Sequence, residues 1–394
     1  MRNETRSTSK GADRSKQTCF KWLSFLSSLV VMLTGCVLWL IFARSTDPVL
    51  PTGVILESAR NGRNIVREAF PNVDFAPLYP GMTDDEIDQL QRETFAVRYA
   101  YSPFVQFQGL PMQARFVTIT PDGRRLPDHS QPWPPREQDV SVFVFGGSTI
   151  FGNNLPPGQT VPVALEHELR KRFRSADIHV YNFGCGYYYS TQERVLFDQL
   201  LTRGHIPDLA IFIDGLNDFL TPSGAPKFTS LFTRYTLPET NLPAEAEYET
   251  DEARLLAVRN LLQRYRLNIR LTETSAAAFG VKTLFVGQPV PFHDYPQDAV
   301  TYPFRIQRKL DALCRWGYPQ FASLAAEGAF GRRFIWTGDA FRDAETSMYS
   351  DSIHYSPAGA RLLARRILDQ AVENGLLDLD HPLLRKAPAR VPGS

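Results

Sequence analysis

Between Val140 and Gly375, short apolar runs alternate with stretches whose apolar residues recur at helical spacing. Val142-Phe143-Val144-Phe145 is an unbroken run of β-branched and aromatic residues, as in a strand buried on both faces. Val163, Leu165, Leu169 and Phe173 then mark a helix over 161–173, Ile178–Tyr181 a short strand, Thr191–Leu201 a helix and Leu209–Ile213 another strand. The stretch Thr221–Ala246, rich in Pro, Thr and Phe, breaks the rhythm at a length that suits a functional flap or a flexible insertion. The pattern next predicts a helix from about Asp251 to Arg270, with Arg264–Arg270 as a solvated face, and a strand over Lys282–Val286. Helices between Tyr302 and Ala326, a strand over Arg333–Trp336 and a final helix follow, the last with Ser356 as N-cap, Pro357 at its first position and Gly375 near its end. Strands alternating with helices of this length predict an α/β fold, a three-layer sandwich with a mostly parallel central sheet. No internal repeat is present.

Upstream the pattern changes. Thr83-Asp84-Asp85-Glu86 has the form of an N-cap with acids in the first turn and opens a helix through Phe95. Loose alternation from Tyr99 to Arg125, with the turn signal Pro121-Asp122-Gly123, predicts a β-hairpin, and Pro127–Pro135 a Pro-rich linker. These divide the chain into a lead-in over 77–138, a main domain over 139–378 and a C-terminal tail over 379–394. Before them, 44–76 reads as a stalk. Trp22–Ala43 holds no charged residue, and a helix of that length reaches roughly 33 Å, enough to cross a ~30 Å hydrocarbon core. It is expected to be a transmembrane anchor. Residues 1–21 carry Arg2, Arg6, Lys10, Arg14, Lys16 and Lys21 against Glu4 and Asp13, a basic tail that belongs on the cytoplasmic side, with the folded domain extracytoplasmic, as in a periplasm. Leu33-Thr34-Gly35-Cys36 also resembles the box at which bacterial lipoproteins are cut, but the apolar run continues past Cys36 and lacks the small-residue end of a cleaved signal.

At 394 residues, 43% hydrophobic and 22% charged, the chain can bury a large core. A formal net charge of +1, without a long basic patch, argues against a nucleic-acid partner. Four cysteines are too few and too scattered for a metal cluster or a disulfide framework, and Cys185 and Cys314 are expected to be reduced and buried. No metal or organic cofactor is implied, and the sequence names no protein partner.

The candidate chemistry lies at strand ends. Gly146 and Gly147 let the backbone turn sharply after the first strand of the main domain and present Ser148 at the sheet edge where open α/β sheets place ligands. Tyr181-Asn182-Phe183-Gly184-Cys185-Gly186 follows the second strand, and its glycines allow backbone amides to face a ligand. Asp214-Gly215-Leu216-Asn217-Asp218 follows the third and offers a side-chain amide. Asp351-Ser352-Ile353-His354 precedes the last helix, and an acid three residues before a histidine can bend back to hold the imidazole in the tautomer that takes a proton from serine. Each alone has a plainer reading as a turn or a capping pair. Together they contain a nucleophile, a base, an orienter and oxyanion donors.

In this order and at these separations, Gly-Gly-Ser, Asn-x-Gly, Gly-Leu-Asn-Asp and Asp-x-x-His resemble the blocks of the SGNH (GDSL-like) hydrolase family, over roughly Val140–Gly375. The resemblance implies that Ser148 attacks an ester carbonyl, His354 takes its proton and Asp351 orients His354. It also implies that the Ser148 amide, a block-two glycine amide and the Asn217 side chain bind the oxyanion. The chain has Gly-Gly-Ser where the family often has Gly-Asp-Ser, and either Gly184 or Gly186 suits the block-two donor. The expectation is a serine esterase acting on O-acyl esters, with O-acetyl groups on extracytoplasmic glycans as the favoured substrate. Two other readings stay open. One is an O-acyltransferase using the same triad, with the 221–246 flap excluding water. The other is a non-catalytic component of surface-polysaccharide assembly, which would need no Asp-His pair. Tyr187, with Tyr188 and Tyr189, suits either a stacking platform for sugar rings or the core, and His293 is placed to line the cleft.

Overall fold

The computed structural model describes residues 62–173, 177–226, 229, 248, 250–298, 300–304 and 308–377. The expected basic tail, transmembrane anchor, cysteine cleavage box and first part of the stalk lie outside the described residues, as do most of the flap and the C-terminal tail. None of the described helices is long and apolar enough to cross a membrane.

Five parallel strands make the central sheet: β5 (Val140–Gly146), β6 (Ile178–Asn182), β7 (Leu209–Asp214), β8 (Lys282–Gly287) and β9 (Phe334–Trp336), in the spatial order β6-β5-β7-β8-β9. Register pairs Val144 with Ile211 and Phe145 with Phe212, and Phe212 in turn with Phe285. Because successive side chains point to opposite faces, the Val-Phe-Val-Phe run divides into two chemistries. Val142, Val144, Ile178, Val180, Ile211, Ile213, Leu284, Val286 and Ile335 share an aliphatic core with α4 (Val161–Arg172) and α9 (Pro357–Glu373). The other face is aromatic. Phe145 stacks on Phe212 at 4.7 Å and Phe212 on Phe285 at 5.3 Å, while Phe197 of α5 (Ser190–Thr202) meets Phe145 and Phe212 edge-on. Further along this face, Tyr265 of α7 (Asp251–Ala278) and Phe321 of α8 (Arg308–Ala326) meet Phe334 and Trp336. Helices thus cover both faces of the sheet.

Several boundaries differ from the sequence expectation, each for a local reason. The α7 helix runs on to Ala278 instead of stopping near Arg270, because an alanine-rich end sustains helix after the apolar spacing fades, until Gly280 turns at φ 72°. Its Arg264 is not a solvated residue: the guanidinium donates to the carbonyls of Thr221 and Pro222 and lies over the Tyr189 ring. Among the described residues of 302–326 there is one helix, α8, which starts at Arg308, while 302–304 are not helical. Asp214 ends β7, and Leu216-Asn217-Asp218 opens the short helix α6 (Leu216–Leu220).

The stalk expectation also changes. Asn64 caps α1 (Ile65–Ala69), accepting from the amides of Val66 and Arg67, and Val66, Phe70 and Phe75 are buried in the aliphatic core. A helix of five residues is too short to show periodicity, which is why 64–76 looked featureless. The next helix, α2 (Asp84–Phe95), has the capping box of Thr83 and Glu86 and buries Ile87 and Leu90 in the same core. The predicted single hairpin is two: β1 (Tyr99–Ser102) with β2 (Gln106–Gly109), then β3 (Met112–Gln113) with β4 (Thr118–Ile119). Pro111, which has no N–H to give a ladder, separates them. Lead-in and main domain belong to one compact unit, 55–394.

Phe145 is fully buried between Phe212 and Phe183. Phe145→Ala is expected to cost about 3–5 kcal/mol of stability, read as a lower urea midpoint with the slope unchanged.

Candidate active site

The β5 strand ends at Gly146, and Ser148 opens the single-turn helix α3 (Ser148–Phe151). Both glycines before it are forced. A Cβ at Gly146 would lie 2.3 Å from the Ile150 side chain, and one at Gly147 would lie 2.3 Å from Asn217 Nδ2. A side chain at 147 would have to displace the Asn217 amide. As the first helical residue, Ser148 has an N–H without an intrahelical acceptor. The turn is held from beneath: Asn182 Nδ2 donates to the Ile150 and Phe151 carbonyls at 3.0 and 3.3 Å. Arg125, 1% exposed, donates to the carbonyls of Phe151, Gly152, Leu155 and Phe116 and lies over the Phe151 ring. Burial pushes its guanidinium down to about 9. Sequence reading saw Arg125 only as the end of a hairpin, because its acceptors are carbonyls that no side-chain pattern advertises.

Across the sheet edge, His354 Nε2 lies 2.9 Å from Ser148 Oγ, and His354 Nδ1 lies 2.7 Å from Asp351 Oδ2. Asp351 Oδ1 accepts from the backbone amides of Ile353 and His354, both at 2.8 Å. The turn that bends the acid back on the histidine is closed by a β-bridge between Tyr349 and Tyr355 and by the Ser350 amide, which donates to the His354 carbonyl at 2.8 Å. Burial by itself would push the Asp351 carboxyl up, yet the charge of His354 and the hydrogen bonds from His354 and Ile353 hold it below the usual carboxylate range. The ring of Phe95, at the end of α2, meets the His354 ring edge-on at 5.4 Å, so the lead-in reaches the site.

Asn217, the second residue of α6, donates through Nδ2 to the Tyr188 carbonyl at 2.6 Å and keeps a second N–H that no described group accepts. Gly184 and Gly186 separate in role. The Gly184 amide donates to Asn182 Oδ1 at 2.9 Å, so it is committed within its own loop, and a Cβ there would strike the Phe151 amide. Gly186 makes room for the Tyr99 hydroxyl. Tyr187, 37% exposed with φ 69°, is the outward tyrosine, edge-on to Tyr99; Tyr188 and Tyr189 are core residues whose hydroxyls donate to the carbonyls of Phe107 and Gly224. His293 packs against Tyr318 and Trp336 beside Asp294 and makes no described contact with Ser148 or His354. Cys185 and Cys314 are free and buried, and burial pushes the Cys185 thiol up to about 12. A residue absent from the sequence reading, Asn154, donates from Nδ2 to Asp351 Oδ2 at 2.8 Å.

Beside Asn217 lies a second set of buried acids. Asp218 accepts from Ser190 Oγ at 2.6 Å. Burial, then the charge of Asp214, holds the Glu193 carboxyl far above its ordinary range, and burial with the charge of Asp218 does the same to Asp214. The folded chain therefore keeps protons that the unfolded chain releases above about pH 4. Stability should fall as pH rises from the ordinary carboxylate range toward these raised values. Glu193→Gln removes one such titration, and its melting temperature is expected to fall less than the parent's between about pH 5 and about pH 8, measured by thermal denaturation across that range.

No family model and no curated protein matches this chain. Among solved structures, it is similar to an acetylxylan esterase from Geobacillus stearothermophilus, with 17% identity over 64% of this chain and 100% of that one and a TM-score of 0.35. It is similar to a member of the lipolytic protein G-D-S-L family from Veillonella parvula, with 13% identity over 58% of this chain and 97% of that one and a TM-score of 0.35. A lipase from a goat rumen metagenome gives 11% identity over 61% and 100%, with a TM-score of 0.41. The chemistry of this chain rests on its own geometry.

Proposed function

We propose that this chain is a serine esterase of the SGNH type that hydrolyses O-acyl esters, favouring O-acetyl groups on extracytoplasmic glycans, through an acyl-enzyme. The observation that carries the reading is the unbroken relay from Ser148 Oγ through His354 to Asp351, at 2.9 and 2.7 Å. In the first half-reaction Ser148 Oγ attacks the ester carbonyl and passes its proton to His354 Nε2. The oxyanion that forms takes hydrogen bonds from the Ser148 amide, from Asn217 Nδ2 and from Gly186, whose amide, unlike that of Gly184, is not given to Asn182. Each such donor is worth about 3–4 kcal/mol in the transition state. Collapse expels the alcohol with the proton from His354. Water, deprotonated by the same imidazole, then releases the carboxylic acid and restores Ser148.

The glycan preference is supported by Tyr187, an exposed aromatic ring on the block-two loop held edge-on against the buried Tyr99 of β1 at 6.1 Å, which offers a face for a sugar ring. The uncharged Trp22–Ala43 segment supports a membrane-anchored, extracytoplasmic enzyme with its basic tail in the cytoplasm. Acyl transfer to a sugar hydroxyl would draw on the 221–246 flap, most of which lies outside the described residues, and the non-catalytic reading has no use for the relay.

The test measures acetate or p-nitrophenol release from short and long acyl esters and from acetylated oligosaccharides by the full chain. Turnover of acetyl esters is expected, with Ser148→Ala and His354→Ala each lowering kcat by about 10⁴-fold or more. Parent-like turnover by Ser148→Ala would sink the reading.

A further inference from the structure

Asn154 is 0% exposed and sits in the left-handed region at φ 63°, at the end of the loop that leaves the nucleophile turn. Its side chain reaches across 197 positions of sequence to Asp351 Oδ2, the same oxygen that faces His354 Nδ1. A carboxylate only accepts, so the atom of Asn154 that meets it is the NH₂ group. Its other amide atom, Oδ1, finds no partner among the described residues, which makes Asp351 the side chain's one described polar contact. A buried asparagine with an unpaired carbonyl is a poor stabiliser of a core. What it supplies is a donor to the acid behind the base.

The backbone of Asn154 is gripped from the lead-in. Its amide donates to Thr94 Oγ1 at 3.1 Å, and its carbonyl accepts from the Tyr79 hydroxyl at 2.9 Å. Thr94 is fixed in turn, donating to the Leu90 carbonyl within α2 at 2.9 Å. Two of the four donors on Asp351 come from its own turn and one from His354, and Asn154 alone ties the carboxylate to the segment that bears the nucleophile. We propose that Asn154 is a positioning residue for the relay: it sets the plane of the Asp351 carboxylate, and through it the His354 ring, relative to Ser148, with the lead-in residues Tyr79 and Thr94 holding it in place. The inference rests on the hydrolase reading for its kinetic test.

Asn154→Gly in the full chain keeps the left-handed backbone and its bonds to Thr94 and Tyr79 and removes only the amide. With one donor fewer, Asp351 presents more negative charge to the imidazolium. The expected result is a kcat lower by about 10- to 100-fold, a KM nearly unchanged, and an acidic limb of kcat/KM moved to higher pH. Asn154→Asp preserves the shape and guards against a variant that fails to fold; its second carboxyl can donate only while protonated, so its activity should fall with rising pH where the parent's is flat. Tyr79→Phe should give a smaller loss in the same direction. A parent-like kcat with an unmoved acidic limb would overturn the inference. So would a loss seen only in KM or melting temperature. A turnover-free readout separates this outcome from failure of the hydrolase reading. The low-field ¹H resonance of the His354 Nδ1 proton should shift in Asn154→Gly even if the parent hydrolyses no ester, and an unchanged resonance would count against Asn154.

Discussion

The site depends on keeping one carboxylate ionised where almost no water reaches it. Asp351 is buried, and burial alone favours its neutral form. Four donors reverse that preference: two amides of its own turn, His354 Nδ1 and Asn154 Nδ2, at 2.7 to 2.8 Å. Each oxygen takes two of them, so the carboxylate plane cannot rotate without losing bonds. An anion fixed in this way fixes the tautomer and plane of the imidazole, and the imidazole is what gives Ser148 its direction.

The rest of the fold answers the same constraint from both sides of the sheet. Ser148 opens α3 just after β5, and the carbonyls at the end of α3 are taken up by Asn182 and Arg125, so that a single turn of helix, too short to be stable alone, is held by groups outside itself. Asp351 and His354 come from the turn before α9, whose N-cap Ser356 accepts from Gly359 and donates to the Ser347 carbonyl. On the aliphatic face, α9 packs beside α4 and the buried residues of the lead-in. The lead-in is therefore part of the platform on which the relay is aligned, reaching it through Tyr79, Thr94 and Phe95.

This explains what could be read from the sequence. The strand run before Ser148, the glycine pair, the Asp-x-x-His spacing and the capped last helix are local, and local patterns carry their own physical reasons. The two faces of the sheet were half legible: the run Val142–Phe145 marked burial, while the division into aliphatic and aromatic layers needed the register between strands. Arg125 and Asn154 were invisible because their partners lie in distant segments and are mostly backbone carbonyls or a carboxylate 197 positions away. Gly184 and Gly186 read alike in the sequence for a related reason, since the hydrogen bond from the Gly184 amide to Asn182 was not legible there.

The buried acids show the same physics resolved in the opposite direction. Asp351 has donors in abundance and stays charged, whereas Glu193 and Asp214 have mainly each other and are held toward their neutral forms. Asp218, raised by burial against the hydrogen bonds from Ser190, directly follows Asn217. For the proposed chemistry this division matters. Negative charge develops on the oxygen that Asn217 would stabilise, and ionised acids at its back would oppose that charge across a poorly screened interior. Burial pushes Glu193 and Asp214 toward their neutral forms and so lessens that opposition, while the hydrogen-bonded carboxylate of Asp351 sits behind His354, where the transient imidazolium of the proposed chemistry needs it.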